Sequence, residues 1–272
     1  MNKRWLLIIA GLFLIGLVVV VSVKIKKGYM ESKIKEGKVA SLSNLTMQAQ
    51  EFQAKGNFLE AKAVYQKLMN EFPNSSEIMN WQKKIEELNI KLLFSPLIAP
   101  KSKIYEVKPG DTLIKIANEF HTTVELIKKS NNLADDKIFP GRKIKVWTAP
   151  FNMLVDKSQN ILILKTDEEI IKTYAISTGT NNSTPIGNFK ITNKLTDPTW
   201  FRAGAVFPTG SPENILGSRW LGFDLPGYGI HGTTEPQSIG KQVTQGCVRM
   251  ANPDVEELYN IVPVGTEVTI VD

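Results

Sequence analysis

The spacing of apolar residues changes along this chain, and each change marks a different kind of element. Trp5 to Val23 is an apolar run of 19 residues without a charge. As a helix it would reach roughly 28 Å, close to the hydrocarbon thickness of a membrane. Lys3 and Arg4 precede it and Lys24, Lys26 and Lys27 follow it, so flanking charge alone does not orient it. Its length, and the lack of a small-residue cleavage site after it, favour an uncleaved anchor over residues 1–28 rather than a removed signal peptide.

From residue 31 to 94 the apolar period becomes helical. Phe58, Ala61, Tyr65 and Leu68 fall on one helix face. Gly56-Asn57 separates one helix from the next, Pro73-Asn-Ser-Ser ends the second, and Glu77 to Leu93 supplies a third. Residues 95–103 hold two prolines and no helical period, and read as a linker.

Residues 104–148 alternate between the two periods. Ile104 to Val107 reads as a strand, followed by the turn Pro109-Gly110-Asp111-Thr112 with Asp111 placed to cap a helix. Leu113, Ile116, Ala117 and Phe120 give that helix an apolar face. Thr122 with Glu125 forms a capping box for a second helix carrying Leu126 and Ile127, closed by Asn131-Asn132. Phe139-Pro140-Gly141 then turns into the strand Lys143 to Trp147.

Residues 150–272 read as short β segments. Strands are expected at Met153 to Val155, Ile161 to Leu164, Ile171 to Ile176, Phe189 to Ile191 and Thr266 to Val271, in a mainly-β sandwich or barrel. Asp197 to Pro226 is long and weakly patterned, with Trp200, Phe201, Phe207, Trp220 and Phe223, and reads as a loop covering a cleft. Asn252-Pro253 reads as a helix start, with Asn252 as the cap. The whole is therefore multi-domain: a transmembrane helix, an α-helical segment, a βααβ module and a mainly-β domain.

At 272 residues the chain accommodates two or three cores. Its charge is uneven: residues 1–150 hold 24 Lys/Arg against 14 Asp/Glu, and residues 151–272 hold 9 against 13. The basic half suits an anionic surface such as lipid headgroups or wall polymers. No nucleic-acid-binding motif accompanies the charge, so nucleic acid is not expected as a partner. A single cysteine rules out an internal disulfide and leaves the compartment open.

That cysteine, Cys247, lies sixteen positions after His231, one of two histidines. A thiol is mostly protonated at neutral pH and needs a base to become a nucleophile; a histidine can take that proton and return it to a leaving amine. The bland alternative is a buried core thiol beside a turn histidine. Gly229, Gly232 and Gly246 weigh against it, because glycines let backbone N–H groups face a site. Arg249 also shares a strand face with Cys247. His121 reads as a surface residue, and one remaining His and one Cys are too few to hold a metal, so neither metal nor cofactor is expected.

The run His231-Gly … Ser238-Ile-Gly240 … Gly246-Cys247-Val-Arg249-Met250 resembles the signature of L,D-transpeptidase catalytic domains, as does Thr184-Pro185-Ile-Gly187-Asn-Phe. Thr244-Gln245 departs from it, since the family usually has Ser followed by His or Lys. The resemblance implies a Cys247 nucleophile, His231 as base, the Gly232 carbonyl orienting the imidazole, Gly246 and Cys247 N–H groups as oxyanion donors, and Arg249 beside thiolate or substrate. It implies cross-linking of peptidoglycan stem peptides through an acyl thioester. An L,D-carboxypeptidase, or a wall-binding adaptor with a decayed site, are the alternatives. Residues 104–147 resemble a LysM domain, which implies glycan binding by Gly110, Asp111, Thr112 and Leu113 on one loop and Ile138, Phe139, Pro140 and Gly141 on the other. Residues 31–94 resemble a tetratricopeptide-type unit, with a helical stalk equally compatible. The anchor and these domains together imply the wall side of the cell membrane.

Overall fold

The computed structural model describes residues 37–167, 169–202 and 204–272, with six scattered positions between 24 and 33. The expected anchor Trp5 to Val23 lies outside the described residues. Among the described residues no helix is long and apolar enough to cross a membrane. The chain divides into two compact units, one ending at Trp81 and one beginning at Gln82.

The first unit is helical. Helix α1 covers residues 37–54 and α2 covers Phe58–Glu71. Gly56 turns between them at φ +77, a left-handed conformation that suits glycine. Ala61, Tyr65 and Leu68 are buried, which is the face the spacing indicates. Helix α3, Ile78–Leu93, continues into the second unit. The helices are present as expected; the tetratricopeptide likeness stays a resemblance.

The second unit contains both remaining modules. In the smaller one, strand β1 (Ser102–Glu106) pairs antiparallel with β2 (Lys143–Trp147), and helices α4 (Leu113–Glu119) and α5 (Val124–Ser130) pack on them. Leu113, Ile116, Ala117, Ile127, Ile144 and Val146 form its core. Both helix caps sit one residue after the expected position. Thr112 caps α4 by accepting from Lys115 N, and Thr123 caps α5 by accepting from Leu126 N. Asp111 instead accepts from Tyr105 Oη at 2.8 Å and Lys108 N at 2.7 Å, tying the first loop to β1.

The larger module is a closed sheet. Its strands are β3 (Asn152–Asp156), β4 (Ile161–Thr166), β5 (Glu169–Gly179), β6 (Gly187–Thr196), β9 (Arg219–Phe223), β10 (Gly229–His231), β11 (Gln242–Thr244), β12 (Val248–Met250) and β13 (Glu267–Val271). They run in the order β11-β5-β12-β10-β9-β6-β13-β3-β4. Strand β5 is long enough to pair with β4 along its first half and with β12 and β11 at its end, which closes the ring. The expected strands all form, most of them longer than foreseen. The stretch read as one long loop holds a hairpin, β7 (Trp200–Arg202) with β8 (Ala205–Phe207), and then β9, an interior strand of the sheet. Helix α6 (Asn252–Ile261) buries Val255, Leu258 and Ile261.

The two modules share a core. Leu126 and Trp147 of the small module lie in one apolar cluster with Leu93, Phe151, Leu258 and the sheet interior. Trp147 stacks on Phe151 at 5.5 Å, and Thr123 Oγ1 donates to the Asn260 carbonyl of α6. Residues 95–103, expected as a linker, are held in place. Ala99 is buried, and the Lys145 ammonium donates to the carbonyls of Leu92 (2.6 Å) and Ser95 (2.8 Å) at the C-terminus of α3. A cation there satisfies carbonyls that the helix leaves unpaired.

Candidate active site

Strands β10 and β12 lie side by side and parallel, with Ile230 opposite Val248 and His231 opposite Arg249. Side chains alternate along a strand, so Ile230, Val248 and Met250 enter the core while His231 and Arg249 share the other face. Cys247 directly precedes β12, two residues before Arg249, and its thiol feels the Gly229 N–H of β10 and the Arg249 charge. The sixteen-residue separation in sequence is thus closed by a parallel strand pair.

Cys247 is half-buried. Its Sγ lies 3.4 Å from the Gly227 carbonyl; among the described residues no hydrogen bond joins it to the imidazole. Burial pushes the thiol pKa up, and the Gly229 N–H and the Arg249 charge pull it back.

His231 is 2% exposed. Its Nδ1 is 2.6 Å from the Gly232 carbonyl. A carbonyl only accepts, so Nδ1 carries the proton and Nε2 holds the free lone pair. Burial lowers the imidazole pKa to about 4; the Gly232 carbonyl opposes this, Arg249 adds to it, and the Leu216 carbonyl opposes it. The Trp220 ring stacks on the imidazole at 6.1 Å and 20°. Both shifts favour the neutral forms, thiol on Cys247 and uncharged imidazole on His231.

Arg249 is 5% exposed. Its Nη1 donates to Glu235 Oε2 at 2.9 Å and Ser238 Oγ at 3.0 Å, while Nε has no partner. Gly246 has φ +126, and a Cβ there would sit 2.7 Å from Tyr228 Cε1, so the position admits only glycine without strain. Its N–H, expected to face an oxyanion, donates to Thr244 Oγ1 at 3.2 Å, and that hydroxyl donates to the Cys247 carbonyl at 2.7 Å. Thr244 thus braces the turn that carries the thiol. Gln245 is exposed.

The expected cap of α6 also differs. Ala251 is the N-cap, and the Asn252 side chain reaches away from the helix to the backbone beside Gly232. Asn252 and Glu235 frame the site without having been legible as members of it, whereas Trp220, expected among the aromatics of a cleft-covering loop, stacks on the imidazole from β9. Asn252 gave a misleading signal, because Asn-Pro looks like a helix start; Glu235 carried no local signal.

In the small module Gly141 N donates to the Val107 carbonyl at 2.8 Å, which joins the second expected loop to the residue after β1, and Gly110 and Gly141 turn at φ +84 and +85. Leu113 is buried in the module's core, and Ile138 is partly buried against it. Phe139 (66% exposed) and Ile114 (63%) are the apolar groups on this surface. Ile114 was not anticipated. Among the described residues no cluster of His, Cys, Asp and Glu could hold a metal ion.

The sequence profile of the YkuD-type L,D-transpeptidase catalytic domain matches residues 151–270, and that of the LysM domain matches residues 105–147. The YkuD protein of Bacillus subtilis (strain 168), described as a candidate L,D-transpeptidase, is 37% identical over 173 residues, covering 61% of this chain and 97% of the relative. The YqjB protein of the same organism, similarly described, is 42% identical over 126 residues, covering 44% of this chain and 70% of the relative.

Proposed function

The chain belongs to the YkuD L,D-transpeptidase family, and we propose that it forms 3–3 cross-links between peptidoglycan stem peptides through a thioester on Cys247. The first step is attack of Sγ on the carbonyl of the stem's third residue. As the S–C bond forms, the thiol proton passes to His231 Nε2. The amide C–N bond then breaks, and that proton goes to the departing terminal D-residue. An amine from a second stem then attacks the thioester. It forms the new amide, His231 receives the amine's proton, and the Cys247 thiol is restored. Water as the acceptor would make the same chemistry a carboxypeptidase.

The neutral pair fits this sequence of events. A neutral imidazole is ready to accept a proton, and a thiol that stays protonated until attack makes proton transfer part of the reaction. The Gly232 carbonyl does for the ring what a carboxylate does in other triads. With the Gly246 N–H engaged by Thr244, the Cys247 N–H is the remaining candidate of the two expected oxyanion donors. Removing one such donor typically costs about 10²–10³ in rate. The Arg249 charge opposes the effect of burial on the thiol and stabilises negative charge developing on sulfur.

The single observation that supports the reading is the register of β10 on β12, which pairs His231 with Arg249 directly beside the turn that carries Cys247. The LysM surface at Gly110, Phe139, Pro140 and Gly141 would hold the glycan strand. The apolar run Trp5 to Val23 would tether the chain to the membrane, with both modules on the wall side. Incubation with purified muropeptides, read by mass spectrometry, tests the activity. Wild type should release the terminal D-residue and form 3–3 dimers. Release of the D-residue by Cys247→Ala would overturn the proposal, and release without dimers would assign the carboxypeptidase.

A further inference from the structure

We infer that Asn252 is a positioning residue for His231, acting through the single peptide group between Gly232 and Thr233. The inference rests on the role proposed above for His231. Asn252 Oδ1 accepts from Thr233 N at 2.9 Å and from Ser218 N at 3.2 Å. The Thr233 N–H and the Gly232 C=O belong to one planar trans peptide, so they point in opposite directions. The C=O end of that plane receives His231 Nδ1 at 2.6 Å. Asn252 therefore fixes one edge of a rigid plate whose other edge fixes the imidazole. Donation from the N–H also polarises the carbonyl, which strengthens its hold on Nδ1–H.

The surroundings are shaped for that oxygen. A Cβ at Gly217 or at Gly232 would run into Asn252 Oδ1. Both glycines thus leave the space that the amide oxygen occupies. Gly217 has φ +65 as well, which suits glycine on its own account. The second contact, to Ser218 N, ties the plate to the start of β9, the strand whose Trp220 stacks on the imidazole. Asn252 is the first residue of α6, so the plate is anchored to a helix whose Val255, Leu258 and Ile261 are buried in the core. A site held on such rigid elements keeps its geometry, and a misplacement of about 1 Å can cost on the order of 10²-fold in rate.

The tautomer of His231 is the readout that a merely structural role would leave unchanged. Imidazole 15N shifts should show Nδ1–H in wild type and a mixture of tautomers in Asn252→Leu, which fills the space but offers no acceptor. Acylation by a carbapenem, a reaction that the L,D-transpeptidase resemblance implies for Cys247, should slow on the order of 10²-fold in N252L, while the half-saturating concentration moves by less than about threefold. Asn252→Asp keeps an oxygen on both N–H groups and should recover most of the rate and the wild-type tautomer. If N252L does not fold, Asn252→Ala removes the same acceptor without adding bulk and gives the same two readings. A folded variant lacking the acceptor that keeps the Nδ1–H tautomer and the wild-type rate overturns the inference. Wild type that takes no carbapenem, yet shows the tautomer change on substitution, overturns the enzymatic reading and leaves the positioning role standing.

Discussion

The β10–β12 face and the loop surface of the LysM module both depend on glycines, but they use them in opposite ways. At the first, glycines let groups close in: Gly246 makes room for Tyr228, and Gly217 and Gly232 make room for Asn252. The polar side chains there are buried and tied down, with His231 on a backbone carbonyl and Arg249 on Glu235 and Ser238. At the second, a Cβ on Gly110 or Gly141 would meet nothing within 4 Å. These glycines serve only the turn, and Phe139 and Ile114 stand in solvent. Moving a proton at a fixed atom demands a dry, preset geometry. Holding a long polymer demands an open surface whose contacts are individually weak.

The sharpest way to break this contrast is Gly246→Ala. The added methyl meets Tyr228 and must sit on a backbone at φ +126 that a side chain disfavours, so acylation of Cys247 should fall by about 10²-fold or more. The matched change Gly141→Ala should leave acylation within about twofold, because its strain is local to an open turn. Equal effects from the two substitutions would erase the distinction.

Leu126→Ala tests whether the two regions are parts of one body. Leu126 is 1% exposed in the core that the modules share. Its truncation should cost about 2–5 kcal/mol. It should also lower the midpoint of the one unfolding transition that the LysM and catalytic modules share, followed by denaturation. Separate transitions for those two modules in wild type would contradict the shared core, whereas a separate transition of the helical unit would not. The smallest effect is expected from Phe139→Ala, which should weaken sedimentation with purified cell wall by several-fold and leave carbapenem acylation unchanged.

Much of the fold was legible because its signals are local. The alternation in β3, β4 and β13 and the helix face of Leu113, Ile116 and Ala117 can each be read from a few neighbouring residues. Strands β10, β11 and β12 are three residues each, too short for a period to show. Strand β9 hides in Arg219-Trp-Leu-Gly-Phe, whose glycine weakens the pattern but leaves Gly222 free to pack against Trp220 and Asn193. The capping errors share one cause. Asp111 and Asn252 are both good caps by residue type, yet each is spent on a tertiary contact, to Tyr105 and to the backbone beside Gly232. Thr123 does both jobs, capping α5 and donating to Asn260. Local propensity ranks these residues correctly as hydrogen-bonding groups. It cannot say which distant partner outcompetes the helix end.

The site motif was legible for the same reason in reverse. Cys247, His231, Gly232, Gly246 and Arg249 were readable as residues of the right chemistry. Their meeting depends on a parallel pairing that no short window contains. The Gly246 N–H, expected as an oxyanion donor, instead meets Thr244 Oγ1, a contact made by the fold of the turn that the motif does not reveal.

The central claim is that Cys247 and His231 work as a neutral pair. Burial lowers His231 to about 4 and raises the thiol above its ordinary value of 9.0. A base with a depressed pKa stays competent until the pH approaches that lower value. The direct measurement is the pH dependence of carbapenem acylation, followed as a mass shift on wild type with Cys247→Ser as control. The account predicts one adduct, on Cys247 alone, with a rate that holds level from pH 8 down to about 5 and falls only toward about 4. A rate that drops through the ordinary histidine value of 6.5, or an adduct that persists in the Cys247→Ser protein, would contradict it.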